Sequence, residues 1–433
     1  MNPPHPLGMS TANASKPARS CSNSSAHCTL IRRWGPAALP FLTVLRAALF
    51  ALVVGLFSSR SAIAQQPVEV ALAGFAYSGS AGTIDVRFPF SRDYEEAQSA
   101  SGTPVHRRLW QALTEAGSQQ IKFTEQISQL RGRDQAIAVA LVIGAETVSS
   151  EQFGSLHKLL VLIRGQAMFF DFKSMNIVRA YPISFAYVDL LDHAPTKEEI
   201  RSRVKLVYEG ANNKPGILTR FATSVAKASI PAQVPRFIQV TSAQVMPEVM
   251  EQLPAFLKTE PAAADTWLAD MVSEAVSTRA GIPIIPFAKG YAVGNVMSMR
   301  VSDGTVWELK LPKPDYAITA ELTGFKKVKY SEIAGGATSF IYGAFAQLKL
   351  EEPLSQKAFI STALKNGETR VIPASQKYVD DFPHYYDAIN GLLNKLALVI
   401  DGRGDEKWLK GAAAANDIDR QISQTRELIK LCK

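Results

Sequence analysis

The spacing of apolar residues changes period repeatedly along the chain, and from Gln65 onward the changes come in the same order twice. Val68 to Tyr77 reads as a strand. Thr103-Pro104 predicts a helix start, with a hydroxyl at the N-cap and proline in the first turn, and Val105, Leu109, Ala112 and Leu113 mark its apolar face. Ile137 to Ile143 is an unbroken apolar run rich in branched residues, the pattern of a strand buried on both faces. Leu159 to Phe172 and Ile177 to Leu190 predict two strands joined at Lys173 to Asn176. Thr196 and Glu199 stand at capping-box spacing ahead of a helix that turns Ile200, Val204 and Val207 inward, and a further helix runs from Ile217 to Ala228.

The second round opens with a strand at Arg236 to Val245. A helix from about Glu260 follows, carrying Trp267, Leu268, Met271, Val272, Ala275 and Val276 and stopped by Gly281. Asp315 to Val328 alternates, with Tyr316, Ile318, Ala320 and Leu322 on one face, so it predicts a half-buried strand. Phe340 to Leu350 and Lys357 to Leu364 continue the sheet, and Asn366-Gly367 is the pair that a two-residue hairpin turn demands. A closing helix from about Pro383 to Ile400 places Tyr386, Ile389, Leu393, Leu396 and Ile400 three and four residues apart. In the tail, Ile418, Ile422, Thr425 and Ile429 mark one face of a charged helix, read either as packed on the second domain or as an appendage for a partner. The expected fold class is α/β (α+β): two similar domains, 65–230 and 236–400, each a mainly antiparallel mixed sheet packed by helices, joined near Ile230 to Pro235. They follow an N-terminal signal sequence at 1–64 and precede a linker and amphipathic helix at 401–433.

Charge sharpens the reading of the N-terminus. Of 47 Lys and Arg, six lie in the first 64 residues, which hold no acid, leaving 41 basic against 39 acidic residues from Gln65 on. A formal charge of +8 therefore shrinks to about +2, too little for a polyanion-binding surface, and no nucleic-acid partner is expected. The apolar run Ala47 to Phe57 after Arg46, followed by Ala62-Ile63-Ala64, predicts a secretory signal cleaved between Ala64 and Gln65. The alternative, an uncleaved anchor over Ala37 to Phe57, would place Arg46 at bilayer depth at a cost of roughly 2.5 kcal/mol or more. Membrane contact is expected only through the leader, if it is retained. Cys21 and Cys28 leave with it, so only Cys432 remains and no internal disulfide is expected. The expected location is periplasmic or secreted.

Three segments carry a family resemblance: the apolar stretch Ile282 to Phe287 ending in Pro-Phe, the strand Pro314 to Phe325, and Tyr385 to Asn390 at the start of the last helix. Together, over roughly residues 236–400 and more faintly 68–229, they resemble the curli-assembly-transport-like and Tol-Pal N-terminal-like bacterial envelope α/β domains. The chain departs from that group in having Ala320 where glycine is frequent and no cysteine directly after the apolar run. The resemblance implies a non-enzymatic envelope role, an accessory to secretion or surface-structure assembly with an envelope protein as partner.

Reaction chemistry has little to stand on. From Gln65 on, His106, His157, His193 and His384 are widely spaced with a single cysteine, and no HExxH, CxxC or EF-hand loop occurs, so no metal or other cofactor is expected. Neither a phosphate-binding glycine loop nor a G-x-S-x-G elbow is found. Asp189 and Asp192 beside His193, and Asp380 and Asp381 near His384, are the densest acid and imidazole groups and the weak site candidates. Lys326, Lys327 and Lys329 with Phe325 and Tyr330 read as the guard of an exposed sheet edge. The expected function is non-catalytic protein recognition. A small-molecule or glycan-binding module is the alternative, a hydrolase around either histidine the third reading, and oligomeric state is left open.

Overall fold

A computed structural model describes residues 67–433 except 80, 131–135, 231–235, 259–261, 289–294, 302–303, 335 and 377. The leader, its cleavage positions Ala62, Ala64 and Gln65, and Pro231 to Pro235 of the predicted joint lie outside the described residues.

The first half comprises β1 (Val68–Ser78), α1 (Pro89–Ala100), α2 (Val105–Ala116), β2 (Ile121–Thr124), β3 (Ile137–Phe153), β4 (Leu156–Asp171), β5 (Asn176–Leu191), α3 (Lys197–Glu209) and α4 (Ile217–Ala226). The second comprises β6 (Ile238–Val245), α5 (Ala263–Ala280), the hairpin β7 (Val296–Val301) and β8 (Val306–Lys310), then β9 (Tyr316–Glu332), β10 (Ala337–Glu352), β11 (Lys357–Pro373), α6 (Phe382–Ile400), α7 (Glu406–Ala412) and α8 (Ile418–Lys430). In each half a first strand pairs parallel with the first strand of an antiparallel meander, β1 with β3 and β6 with β9. The fold is mixed α/β with helices against mixed sheets.

The sheets run β2-β1-β3-β4-β5-β8-β7 and β11-β10-β9-β6. The β7–β8 hairpin, which periodicity left unassigned, comes from the second half yet completes the first sheet. It joins β5 at Lys310↔Asn176 and β1 at Ala76↔Val301, so that sheet closes on itself.

Strand β3 explains its unbroken apolar run. Ile137, Val139, Leu141 and Ile143 pack into a core with Leu109, Leu113, Val207 and Phe221 of the helices, while Ala138, Ala140 and Val142 join the other core with Met297, Met299 and Leu309. Both faces are dry, so both parities must be apolar. Helix α5 shows no single apolar face for a related reason: it contacts β5 on one side and β6 and α6 on others, and Ala264, Trp267, Met271 and Ala280 are all buried. It ends at Gly281, whose left-handed φ of 66° lets its N–H return to Ser277 O at 3.0 Å. The next residues stitch the sheets together: Ile284 N–H donates to Ala180 O of β5 and Ile285 N–H to Ile238 O of β6, each at 2.9 Å.

The Thr196 capping box forms in full. Thr103 does not cap α2, because helical geometry starts at Val105 with Pro104 at the cap, and its hydroxyl instead meets Ser101 Oγ at 3.0 Å. The Asn366-Gly367 turn is also overturned. Both residues lie within β11, paired with Ala344 and Gly343, and β11 follows β10 through Pro353 to Gln356. Burial of the Asn366 side chain decides the matter: Nδ2 donates to Ala388 O at 2.9 Å, and Oδ1 accepts from Lys395 Nζ at 2.9 Å and Trp408 Nε1 at 3.2 Å. A turn asparagine would face water, whereas this one ties β11 to α6 and α7. Gly391 on α6 permits the approach, since a Cβ there would lie 2.9 Å from Asn366 Nδ2. The tail helix α8 packs on β11 and α6 through Ile418, Ile422, Thr425, Leu428 and Ile429.

Asn366→Ala leaves the Ala388 carbonyl and the Trp408 N–H without their partner, and should cost about 2 kcal/mol, read as a lower urea midpoint at unchanged m-value.

Candidate functional site

The acid and imidazole groups fall where the chain turns or caps, and neither converges on a reacting centre. Asp189, near the end of β5, accepts from Arg203 Nε and Nη2 at 2.9 and 2.6 Å, which holds α3 against the sheet. His193 sits instead between Asp192 Oδ1 at 2.7 Å and Glu199 Oε1 at 3.1 Å, over the capping box. Hydrogen bonds first to Asp192 and then to Glu199 raise its pKa, and the His193 contact in turn lowers that of Asp192. Among the described residues no serine or cysteine hydrogen-bonds to this ring.

The second group is divided. Asp380 accepts from Phe382 N–H at 3.1 Å at the start of α6 and pairs with Lys158 of β4, which also meets Glu151 at 2.8 Å. Asp381 turns to the second sheet, accepting from Lys327 Nζ at 2.8 Å and Tyr342 OH at 2.6 Å. His384 packs on the Tyr342 ring at 4.7 Å, and burial, then the charge of Arg370, lowers its pKa. Adjacent acids thus clamp α6 to both sheets.

Sequence reasoning missed the polar groups between the halves. Arg164, almost alone as a charge within the apolar strand β4, pairs with Asp270 of α5 at 2.8 Å, and Ser184 Oγ donates to Glu274 Oε2 of α5 at 2.6 Å. Its isolation in Leu159 to Phe172 was the available signal. Burial raises the Glu274 pKa, and burial followed by the Glu274 charge pushes Tyr386 up to about 12. Lys158 and Arg164 lie on one face of β4, six residues or ~20 Å apart, and each bridges to the second half. Between them that face carries Leu160 and Leu162, with cross-strand partners Val188 and Ala186, and Val188 and Leu190 are exposed. An open apolar strip therefore runs between two bridging cations.

A group of exposed apolar side chains lies at the far end of the second sheet. β6 pairs with β9 only as far as Leu322↔Val245, so from Phe325 to Glu332 strand β9 has a ladder partner on one side alone, β10. The β9–β10–β11 meander continues as a three-stranded ribbon past the Asp381 clamp. Val328, Tyr330, Ile333 and Val371 there are 43, 71, 70 and 64% exposed. Lys326, Lys327 and Lys329 lie on this bare edge, where a guard was expected, and Lys327 also lies 4.6 Å from the Phe340 ring. Among the described residues no group of three or more His, Cys, Asp or Glu side chains is placed to hold a metal ion. Cys432 is buried and free, and burial pushes its thiol up to about 12.

The raised Glu274 pKa fixes a sign. From about pH 4.3, the ordinary glutamate value, up to the raised one, the folded state holds a proton that the unfolded state has released, so stability falls as pH rises through that window. Glu274→Gln should remove this share and give a higher urea midpoint at pH 7 with a shallower pH slope. Glu95 and Glu146, also raised by burial, keep their shares.

No family model matches the chain, and no curated protein matches it. Among solved structures it is similar to a minor lipoprotein from Acinetobacter baumannii (13% identity, 37% of this chain and 91% of that chain, TM-score 0.21). It is also similar to a Xanthomonas campestris protein of the DUF330 family (13%, 42% and 91%, TM-score 0.19). A third is a putative neuraminyllactose-binding hemagglutinin homolog from Helicobacter pylori (11%, 42% and 95%, TM-score 0.20). All three are bacterial, and one is named a lipoprotein. Overlaps this small carry no argument about function, and none of the three is named as a curli or Tol-Pal protein, so that resemblance rests on the sequence.

Proposed function

We propose that this chain is a non-catalytic, exported protein of the bacterial envelope, an accessory to secretion or surface-structure assembly that works by recognising another protein. The observation that carries the reading is the projecting ribbon. It offers two strand edges with free backbone groups beside four exposed large apolar side chains. Strand edges of this kind recognise extended segments by main-chain hydrogen bonds, with side-chain contacts supplying selectivity. The acid and imidazole candidates are engaged in caps and clamps, which disfavours a hydrolase reading. A second reading, a small-molecule or glycan module, draws on the apolar strip between Lys158 and Arg164.

Tyr330→Ser with Ile333→Ser alters only exposed side chains and should leave the urea midpoint within about 0.5 kcal/mol of the parent, while abolishing co-purification of a partner from envelope extracts. Unchanged co-purification would sink the recognition role of the ribbon. A ligand-dependent melting shift that disappears with Leu162→Glu would favour the second reading.

A further inference from the structure

On the open face of the second sheet, next to the ribbon, lies a groove of about 510 Å³, within the range of roughly 300–1,000 Å³ typical of small-molecule sites. Its floor depends on a pair of glycines. Gly343 and Gly367 are cross-strand partners on β10 and β11, and their missing side chains let Phe345 and Ile341 lie down against the backbone. A Cβ on Gly343 would stand 3.4 Å from Phe345 Cε2, and one on Gly367 3.1 Å from Ile341 Cγ2. The indole of Trp408 on α7 forms a side wall, turned by its hydrogen bond to Asn366 Oδ1 at 3.2 Å.

The rim is cationic. Lys326 of β9, Lys365 of β11 and Lys407 of α7 come from three separate elements and line the same groove, which no Asp or Glu lines among the described residues. Neighbouring lysines are paired: Lys327 with Asp381, Lys329 with Glu332, Lys395 with Glu368 and Lys410 with Asp419. For Lys326, Lys365 and Lys407 no ion pair is formed among the described residues. Three like charges around an apolar floor repel one another until an anion enters, and the floor then gives that anion's body a surface to cover.

We propose that this groove binds a small organic anion with a flat apolar body. The body lies on Phe345 and Ile341 beside Trp408, and its carboxylate, sulfonate or phosphate meets Lys326, Lys365 and Lys407. The site shares Lys326 and Val328 of β9 with the base of the ribbon but not Tyr330 or Ile333 at its tip, and it extends the protein's role from recognising a protein to holding a ligand. The two are separable in experiment, because lysine substitutions leave Tyr330 and Ile333 in place.

The probe is 1-anilinonaphthalene-8-sulfonate, titrated by fluorescence against the full mature chain. Each of Lys326→Glu, Lys365→Glu and Lys407→Glu should weaken binding by roughly threefold to tenfold, the parent's affinity should fall with added salt, and Lys214→Glu in the first half should change nothing. Equal binding by parent and triple variant, or a neutral dye such as Nile red matching the sulfonate in affinity, would reduce the groove to a bare apolar patch and overturn the proposal. Because charge reversal could disturb folding, the parent is also acetylated with and without the sulfonate. Selective protection of Lys326, Lys365 and Lys407 supports the site, and uniform labelling refutes it.

Discussion

The two sheets are held at a fixed offset by a two-residue seam. Ile284 gives its N–H to β5 and Ile285 gives its N–H to β6, so consecutive peptide units belong to different sheets. Both side chains are buried, and unpaired peptide groups there would cost as much as lost hydrogen bonds, so the seam has little freedom to shift. Helix α5, directly before it, is trapped as a shared layer between the sheets, and the β7–β8 hairpin after it crosses into the first sheet to close it. The halves repeat a topology, and the first keeps one core under its own helices, but its other core is shared: Ala138, Ala140 and Val142 of the first belong to the same apolar cluster as Trp267 and Leu393 of the second.

Polar residues in this setting serve to orient. Asp380 and Asp381 are neighbours in sequence yet bind lysines from different sheets, Arg164 reaches Asp270 across the halves, and Asn366 ties two helices to β11. A half-buried ion pair contributes little net stability, because desolvation offsets much of the attraction, but a partner left alone is costly. Such pairs penalise any other arrangement of the halves more than they strengthen the native one.

The same logic explains which parts of the fold were legible. Periodicity located β1, β3, β4, β5, β9, α3 and α6, because each has a face, or two faces, with one fixed environment. It failed at Asn366-Gly367, where local turn chemistry was overruled by a tertiary network that no window of sequence contains. It also passed over the β7–β8 hairpin, whose short alternating strands Val296 to Val301 and Val306 to Lys310 make sense only against a sheet built more than a hundred residues earlier. The dense acid and imidazole groups were visible, but their division among separate partners was not, since composition reports proximity along the chain and chemistry needs convergence in space. Lys326, Lys365 and Lys407 are the converse case, spread over some eighty residues and gathered at one rim.

Closure of the first sheet has a consequence for where the molecule can meet others. That sheet is packed by helices on one face and by the second half on the other, and its ring closes at one end only: β8 meets β5 at Asn176 alone and β1 follows β3 only to Ile143, so the outer parts of β5 and β3 each have a ladder partner on one side. The second sheet is packed by α5, α6 and α8 on one face alone, so its meander keeps an open face, and two free edges beyond the reach of α6. Selection against aggregation ordinarily removes such edges or guards them, and here the guard is partial, with lysines on β9 but Tyr330, Ile333 and Val371 bare. An apolar end left open in this way is hard to account for by packing, because these side chains are exposed rather than buried in either core. A partner that covers them would account for both their exposure and their position, on the part of the meander that runs past the pairing with β6.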